Sequence, residues 1–159
     1  MTASNTAPDI PNVLAPPPVI FLAAVSLGLL LQAVLPLQLS SNPRSLWLAG
    51  GILLAVGLAL SGTMMWQFRR AATPVSPRHA TQQLVVSGLY RFSRNPDYLG
   101  QIITEVGLAL LLNTAWILVS LVPAVLLVRY AVIAREERYL EGRFGDAYRI
   151  YTRRVRRWF

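Results

Sequence analysis

Apolar side chains along this chain fall into four blocks separated by short polar punctuation, and the blocks have the lengths of helices rather than strands. From Val19 to Leu39 the residues are nearly all apolar, with Ser26 and Gln32 among the few exceptions. About 20 residues rising 1.5 Å each match the roughly 30 Å of a bilayer's hydrocarbon core, so this block predicts a first spanning helix. Ser40-Ser41-Asn42-Pro43-Arg44 is turn chemistry. Leu46 to Phe68 predicts a second span, closed by Trp66, Phe68, Arg69 and Arg70 in the manner of an interfacial anchor. Gly50, Gly51, Gly57 and Gly62 in this block permit close helix approach, and packing on the first helix is expected of them.

The next apolar block, Leu99 to Leu112, is short for a span unless its helix starts near Pro96, a suitable first helical position. Ala115 to Ile133 predicts the last span. Only Asn113 and Thr114 separate these two blocks, which implies an antiparallel helical hairpin. Residues 1–18 carry Pro8, Pro11, Pro16, Pro17 and Pro18 and read as a flexible tail unable to form helix. Residues 69–97 form one long polar connection, and chains of such length between spans commonly carry function. Three regions follow: the tail at 1–18, two transmembrane helices at 19–68, and a region at 69–159 made of the cytoplasmic loop, the helical hairpin and the C-terminal segment. The fold class expected is an all-α, polytopic integral membrane protein. It has about four transmembrane helices, a C-terminal helical hairpin and a cytoplasmic amphipathic tail.

Charge adds the orientation. All 15 basic residues are arginine, and against 7 acidic ones they leave a net +8 in a chain that is 54% hydrophobic. Arg44 lies in one set of loops, whereas the loop after the second span and the C-terminal tail hold nearly all the rest. The positive-inside rule puts the N-terminus, residues 69–97 and the tail in the cytoplasm. Arginines flanking bilayer-length segments point to anionic lipid head groups, not to nucleic acid. With no cysteine and a single histidine, His79, thiolate zinc sites, disulfides, cysteine nucleophiles and iron–sulfur ligation are excluded. Chemistry therefore falls to carboxylates, arginines, tyrosines, amides or a bound cofactor.

Three clusters carry such groups. The first, Ser87 to Gly100, packs Gly, Arg, Tyr and Pro at the membrane entry of the third helix, where glycine admits a ligand to the backbone and arginine binds carboxylate or phosphate. The same composition suits a loop resting on anionic lipid. The second is Glu105, mid-block, with Gln101 one turn earlier on its face. A carboxylate at that depth costs on the order of 2.5 kcal/mol or more, so it must face the protein interior or a wet cavity. Arg129 is its candidate partner, although the count back from the Asn113-Thr114 turn sets Arg129 nearer Tyr98 and Gln101. The third is Arg135 to Tyr151, where Glu136 and Glu137 leave the membrane together. Gly142 and Gly145 are expected to break that helix and Asp146 to cap another. On the latter, Tyr148, Tyr151 and Val155 share one face and Arg149, Arg153 and Arg156 another, which predicts an amphipathic segment lying at the membrane surface.

In order and spacing, Gly88-x-Tyr90, Arg94-Asn95-Pro96-x-Tyr98-x-Gly100, the hairpin, Glu136-Glu137-x-x-Leu140, Phe144-Gly145-x-x-Tyr148-x-x-Tyr151 and a closing Arg-Trp resemble the isoprenylcysteine carboxyl methyltransferase and phospholipid methyltransferase superfamily. Thr73 to Pro77 stands where that superfamily has its Thr/Pro-bearing lead-in. The likeness covers roughly residues 66 to 158. It implies a bacterial inner-membrane enzyme that takes S-adenosyl-L-methionine as methyl donor and a lipophilic acceptor entering from the bilayer. Tyr90, Arg94, Asn95, Tyr98, Gly100 and Gln101 would frame the cofactor pocket. Glu136 and Glu137 would contact its ribose or amino group, and Tyr148 and Tyr151 would close the lid. Arg94, Glu105 and Glu137 are the catalytic candidates, and no metal is implied. Many members have His where this chain has Asn95, and an amide cannot serve as a base near neutral pH. Arg156 stands where a proline often precedes the final Arg-Trp.

The expected activity is methyl transfer to a carboxylate, a phospholipid amine or a thiol. An NADPH-dependent reductase of the sterol-reductase type and a non-enzymatic lipid-binding scaffold are the alternatives. The residues leave the acceptor and the oligomeric state open.

Overall fold

A computed structural model describes residues 16–70 and 84–158. The expectations for residues 1–15, for Thr73 to Pro77 and for His79 lie outside the described residues. Helix α1 spans Pro17–Val34, α2 Arg44–Arg70, α3 Pro96–Leu111 and α4 Ala115–Leu127. A π-helical segment, Val128–Ile133, carries α4 into α5, Ala134–Phe144, and α6 runs over Asp146–Arg154. A short 3-10 turn, Gly88–Arg91, precedes α3. The described residues contain no strand, and three stretches are long and apolar enough to cross a membrane: Pro17–Val34, Arg44–Gln67 and Ala115–Phe144. Together with the shorter α3 they make the four apolar helices expected of an integral membrane protein.

Prolines set both ends of α1. Pro17 and Pro18 belong to the helix and not to the tail, because the first turn's N–H groups have no intrahelical acceptor and a proline there loses nothing. The helix stops at Val34, five residues short of Leu39, because Leu35 precedes Pro36 and is driven to φ −134° and ψ 85°. In α3 the proline acts as expected, with Pro96 at the helix start.

Pairing of the helices differs from the sequence reading: α2 packs on α3, while α1 packs on α4. The glycines decide this. A Cβ on Gly50 would lie 2.9 Å from the Gly107 carbonyl oxygen, and one on Gly57 would lie 2.7 Å from that of Gly100. The two glycines of each helix are seven residues apart, two turns, so antiparallel helices meet backbone to backbone at both levels. Gly51 and Gly62 have nothing within 4 Å of such a Cβ and serve no contact. On the other pair, Gly28 of α1 lets the Ile117 backbone approach.

A polar clasp locks the end of the bundle opposite the site. Asn113, at φ 50°, accepts from the Ser40 N–H at 3.0 Å and donates to the Ser40 carbonyl at 2.8 Å. The Gln32 side-chain carbonyl accepts from the Thr114 hydroxyl at 2.8 Å and from the Leu37 N–H at 3.0 Å. These amides take up the polar groups of the turns that join the helices.

The last span is not a plain α-helix. A π turn holds more residues than an α turn, and here it lets Val128, Val132 and Ile133 all reach the core, each fully buried. Further on, Gly142 remains inside α5 and only Gly145 interrupts the chain, at φ 52° and ψ −123°, a conformation that favours glycine. Asp146 does not cap α6. It sits in the first turn and meets Arg149 at 3.2 Å.

Candidate functional site

Two stretches that are distant in sequence fold onto each other where α3 begins and α4 leaves the bundle. The Glu137 carboxylate is held by Arg157, through Nη2 to Oε2 at 2.6 Å and Nε to Oε1 at 3.1 Å, and by Arg94 Nη1 to Oε1 at 3.2 Å. Two-pronged guanidinium pairing of this kind is strong and directional, and here the partners are largely shielded, Arg94 and Glu137 being 16% and 19% exposed. Bonding to Glu137 holds the Arg157 guanidinium above its usual range.

The chain after α6 is thereby strapped across the start of α3. The Arg94 N–H donates to the Arg156 carbonyl at 3.0 Å. The Ser93 hydroxyl and the Asn95 amide donate to the Arg157 carbonyl at 3.2 and 3.0 Å. Trp158 then packs against the core formed by Tyr98, Leu121, Val128 and Ile133. Asn95 thus uses its amide hydrogen to hold the strap. Sequence reasoning did not single out Ser93 or Arg157. The closing Arg-Trp was the available signal, but its partner could not be read without the tertiary structure.

Glu136, next to this clasp, has a different environment. Its two oxygens accept from the Tyr98 hydroxyl, at 2.9 and 3.0 Å. Asp97, in the first turn of α3, accepts from Gln101 Nε2 at 2.8 Å. Among the described residues, Tyr98, Asp97 and Glu137 bear on Glu136 and Gln101 on Asp97, and neither of these two carboxylates forms an ion pair. Burial first, and then the carboxylates of Asp97 and Glu136, keep the Tyr90 phenol protonated well above its usual range. The site therefore divides into a neutralised half, Glu137 with two arginines, and an acidic half, Asp97 and Glu136 among phenols. Asp97 was missed because an acid in the first turn of a helix is ordinarily explained by the helix dipole.

Tyr148 and Tyr151 point into the protein. With Val155 they form a small buried cluster against Leu84, Tyr90, Leu140 and Phe144. Their ring centroids are 6.2 Å apart, and the Tyr151 hydroxyl donates to the Tyr90 carbonyl at 2.8 Å. Burial, aided at Tyr148 by Glu137, pushes both phenols up to about 12. The apolar face of α6 is thus covered by the protein itself, while Arg149, Arg153 and Arg156 are exposed as expected.

Other candidates stand apart from this cluster. Gly100 faces α2, where a Cβ would come within 2.8 Å of Ser61 Oγ, so its smallness serves helix packing. Gln101 reaches the site only through Asp97. Glu105 is 4% exposed and both its oxygens lack a hydrogen-bond partner. Seven residues beyond Tyr98, it sits about 10 Å deeper along α3. Arg129 does not pair with it: that residue is exposed, its guanidinium 5.4 Å from the centre of its neighbour Tyr130's ring.

Comparison with known proteins gives a consistent result. The family model described as phospholipid methyltransferase matches residues 46–147, well over half of the chain. An uncharacterised protein of Haemophilus influenzae is 46% identical over 46 residues, covering 29% of this chain and 70% of that protein. No solved structure matches.

Proposed function

The chain belongs to the phospholipid methyltransferase family and is a membrane methyltransferase, and we propose that it moves a methyl group from S-adenosyl-L-methionine to a lipophilic acceptor at the cytoplasmic membrane surface. The observation that carries this reading is the shielded acidic half of the site, Glu136 and Asp97 without an ion-pair partner among the described residues, beside the largely shielded Arg94. A carboxylate taken from water without a counter-charge is costly, which favours a cationic or hydroxyl-rich ligand at that point.

The donor set fits the cofactor at both ends. Arg94 Nε is buried with no hydrogen-bond partner in the protein, and remains available to a ligand carboxylate. Glu136 and Asp97 suit an ammonium, a sulfonium or ribose hydroxyls. When bound, S-adenosyl-L-methionine supplies an electrophilic methyl on a positively charged sulfur. For such an in-line displacement the protein's contribution is alignment and exclusion of water. Arg157, Glu137 and Arg94 fix the strap, the strap covers the start of α3, and Tyr98 orients Glu136. Asn95, engaged with the Arg157 carbonyl, holds the strap and moves no proton.

The lipophilic acceptor, whether a phospholipid amine, a prenylcysteine carboxylate or a thiol, reaches the site from the bilayer. Calorimetric titration of detergent-solubilised protein with S-adenosylhomocysteine is expected to show saturable binding that Glu136→Ala weakens at least tenfold. Transfer of a labelled methyl group across the three acceptor classes then identifies the substrate. Folded protein that binds neither the donor nor its demethylated product rules the proposal out.

A further inference from the structure

Arg129 takes no part in the site, and its surroundings have the shape of a second binding surface. From Ala115 to Ala134 it is the sole charged residue, in a stretch long and apolar enough to cross a membrane. Arg129 is exposed, and the ion pairs formed among the described residues use Arg94, Arg149 and Arg157 instead. A guanidinium facing lipid without a counter-charge is costly, so an anion is required beside it. Its depth indicates which anion. Counted from the Asn113-Thr114 turn, Arg129 stands level with Tyr98 in the first turn of α3, where the hairpin reaches the membrane boundary and head-group phosphates lie.

The surface leading up to Arg129 suits the rest of a lipid. Val119, Val122, Leu126 and Leu127 are exposed and recur at helical spacing, so they form one apolar face about 12 Å long. Tyr130, also exposed, continues that face, and the Arg129 guanidinium lies over its ring, 5.4 Å from the centre. Neighbours on a π turn diverge less in direction than on an α turn. The turn that sends Val128, Val132 and Ile133 to the core therefore leaves Arg129 and Tyr130 facing outward together. A guanidinium held against a ring keeps its N–H edge for two phosphate oxygens. The exposed arginines of α6, Arg149, Arg153 and Arg154, have no such face beside them, because the apolar side of α6 is buried in the protein.

We propose that Arg129 and Tyr130 form a binding site for a membrane phospholipid, with its phosphate on the guanidinium and an acyl chain along Val119, Val122, Leu126 and Leu127. The occupant is a lipid, because the charge stands at the end of an apolar face that a free phosphate ion cannot cover. This site uses none of the groups of the donor site and is independent of the donor reading.

Native mass spectrometry of the full chain in detergent, with equal amounts of dioleoyl-phosphatidylglycerol and dioleoylglycerol, compares retention of a lipid with and without a phosphate. Phosphatidylglycerol is expected to be retained about fivefold more, the worth of one arginine at a lipid surface. Arg129→Gln is expected to remove that advantage and leave dioleoylglycerol unchanged, whereas Arg153→Gln on α6 alters neither. Tyr130→Leu, which keeps apolar surface and removes the ring, is expected to lower phosphatidylglycerol retention in the same direction. Excess inorganic phosphate is expected not to displace the lipid. Equal retention of the two lipids overturns the inference, since no phosphate is then recognised. Equal losses in Arg129→Gln and Arg153→Gln overturn it too, by showing a diffuse effect of surface charge. Displacement by inorganic phosphate assigns the guanidinium to a free anion and likewise overturns it. Should Arg129→Gln fail to fold, the two-lipid comparison and the phosphate competition in the unmodified protein still decide.

Discussion

The Tyr98 hydroxyl donates to both carboxylate oxygens of Glu136, at 2.9 and 3.0 Å, and so joins the first turn of α3 to the point where α5 leaves the bundle. Tyr98 is buried by the same core that holds Trp158 of the strap. Loss of this phenol leaves a shielded carboxylate with no hydrogen-bond donor, at a cost of about 1–3 kcal/mol. Tyr98→Phe is therefore expected to weaken S-adenosylhomocysteine binding about tenfold and to lower the unfolding temperature modestly. An unchanged affinity in the Phe variant would show that Glu136 does not depend on Tyr98 for its orientation.

Glu137 serves the strap. Glu137→Ala leaves Arg94 and Arg157 unpaired in a largely shielded site, where breaking one partner of an ion pair costs about 3 kcal/mol. Detachment of residues 155–158 should expose the Arg156 and Arg157 backbone, so limited trypsin digestion is expected to trim the C-terminus faster than in the unmodified protein. Equal digestion rates would mean that Trp158 and the bonds from Ser93, Asn95 and the Arg94 N–H suffice to hold the strap.

The seven-residue glycine spacing makes a clean contrast. Gly57→Ala places a methyl 2.6 Å from the Thr104 backbone nitrogen, and overpacking of this kind costs about 1–3 kcal/mol. Gly51→Ala and Gly62→Ala place theirs in open space and are expected to leave thermal stability unchanged or slightly raised. Comparable melting temperatures for all three variants would count against the α2–α3 contact.

Glu105 is buried, unpartnered and about 10 Å below Tyr98. Glu105→Gln keeps the shape and removes the capacity to ionise, so methyl transfer is expected to stay within about twofold of the unmodified enzyme, with stability equal or greater. Abolished turnover with intact S-adenosylhomocysteine binding would restore this residue to the chemistry.

Tyr148 and Tyr151 give a pH dependence. Their phenols are pushed up to about 12 in the folded protein, whereas a phenol in an unfolded chain titrates near about 10. The folded state thus keeps protons that the unfolded state loses. The stability due to burial is complete below about pH 10 and is lost as pH rises through 12. Thermal unfolding followed in detergent from about pH 8 to 11 should show a fall setting in near 10, smaller in Tyr148→Phe. A flat profile to pH 11 would contradict it.

Much of this architecture is written locally. Apolar runs of bilayer length, a two-residue turn at Asn113-Thr114 and a proline at the start of α3 each act through neighbours in the chain, so the four helices and the hairpin could be read one residue after another. The ends of α1 were misjudged because Pro17 and Pro18 were weighed as breakers at a helix start that tolerates them, while Pro36 was passed over where it ends the helix.

What residues 88–100 and 135–151 share is chemistry-bearing composition, and that too was visible in the sequence. Which of those groups meet was not. Glycines of one type divide into Gly50 and Gly57, pressed on α3, and Gly51 and Gly62, pressed on nothing. Adjacent glutamates divide into Glu137, neutralised by two arginines, and Glu136, bonded by the Tyr98 phenol. Helix phase and the return of the C-terminal strap decide both outcomes, because charge compensation and backbone contact depend on distances between residues tens of positions apart, which a linear pattern does not encode.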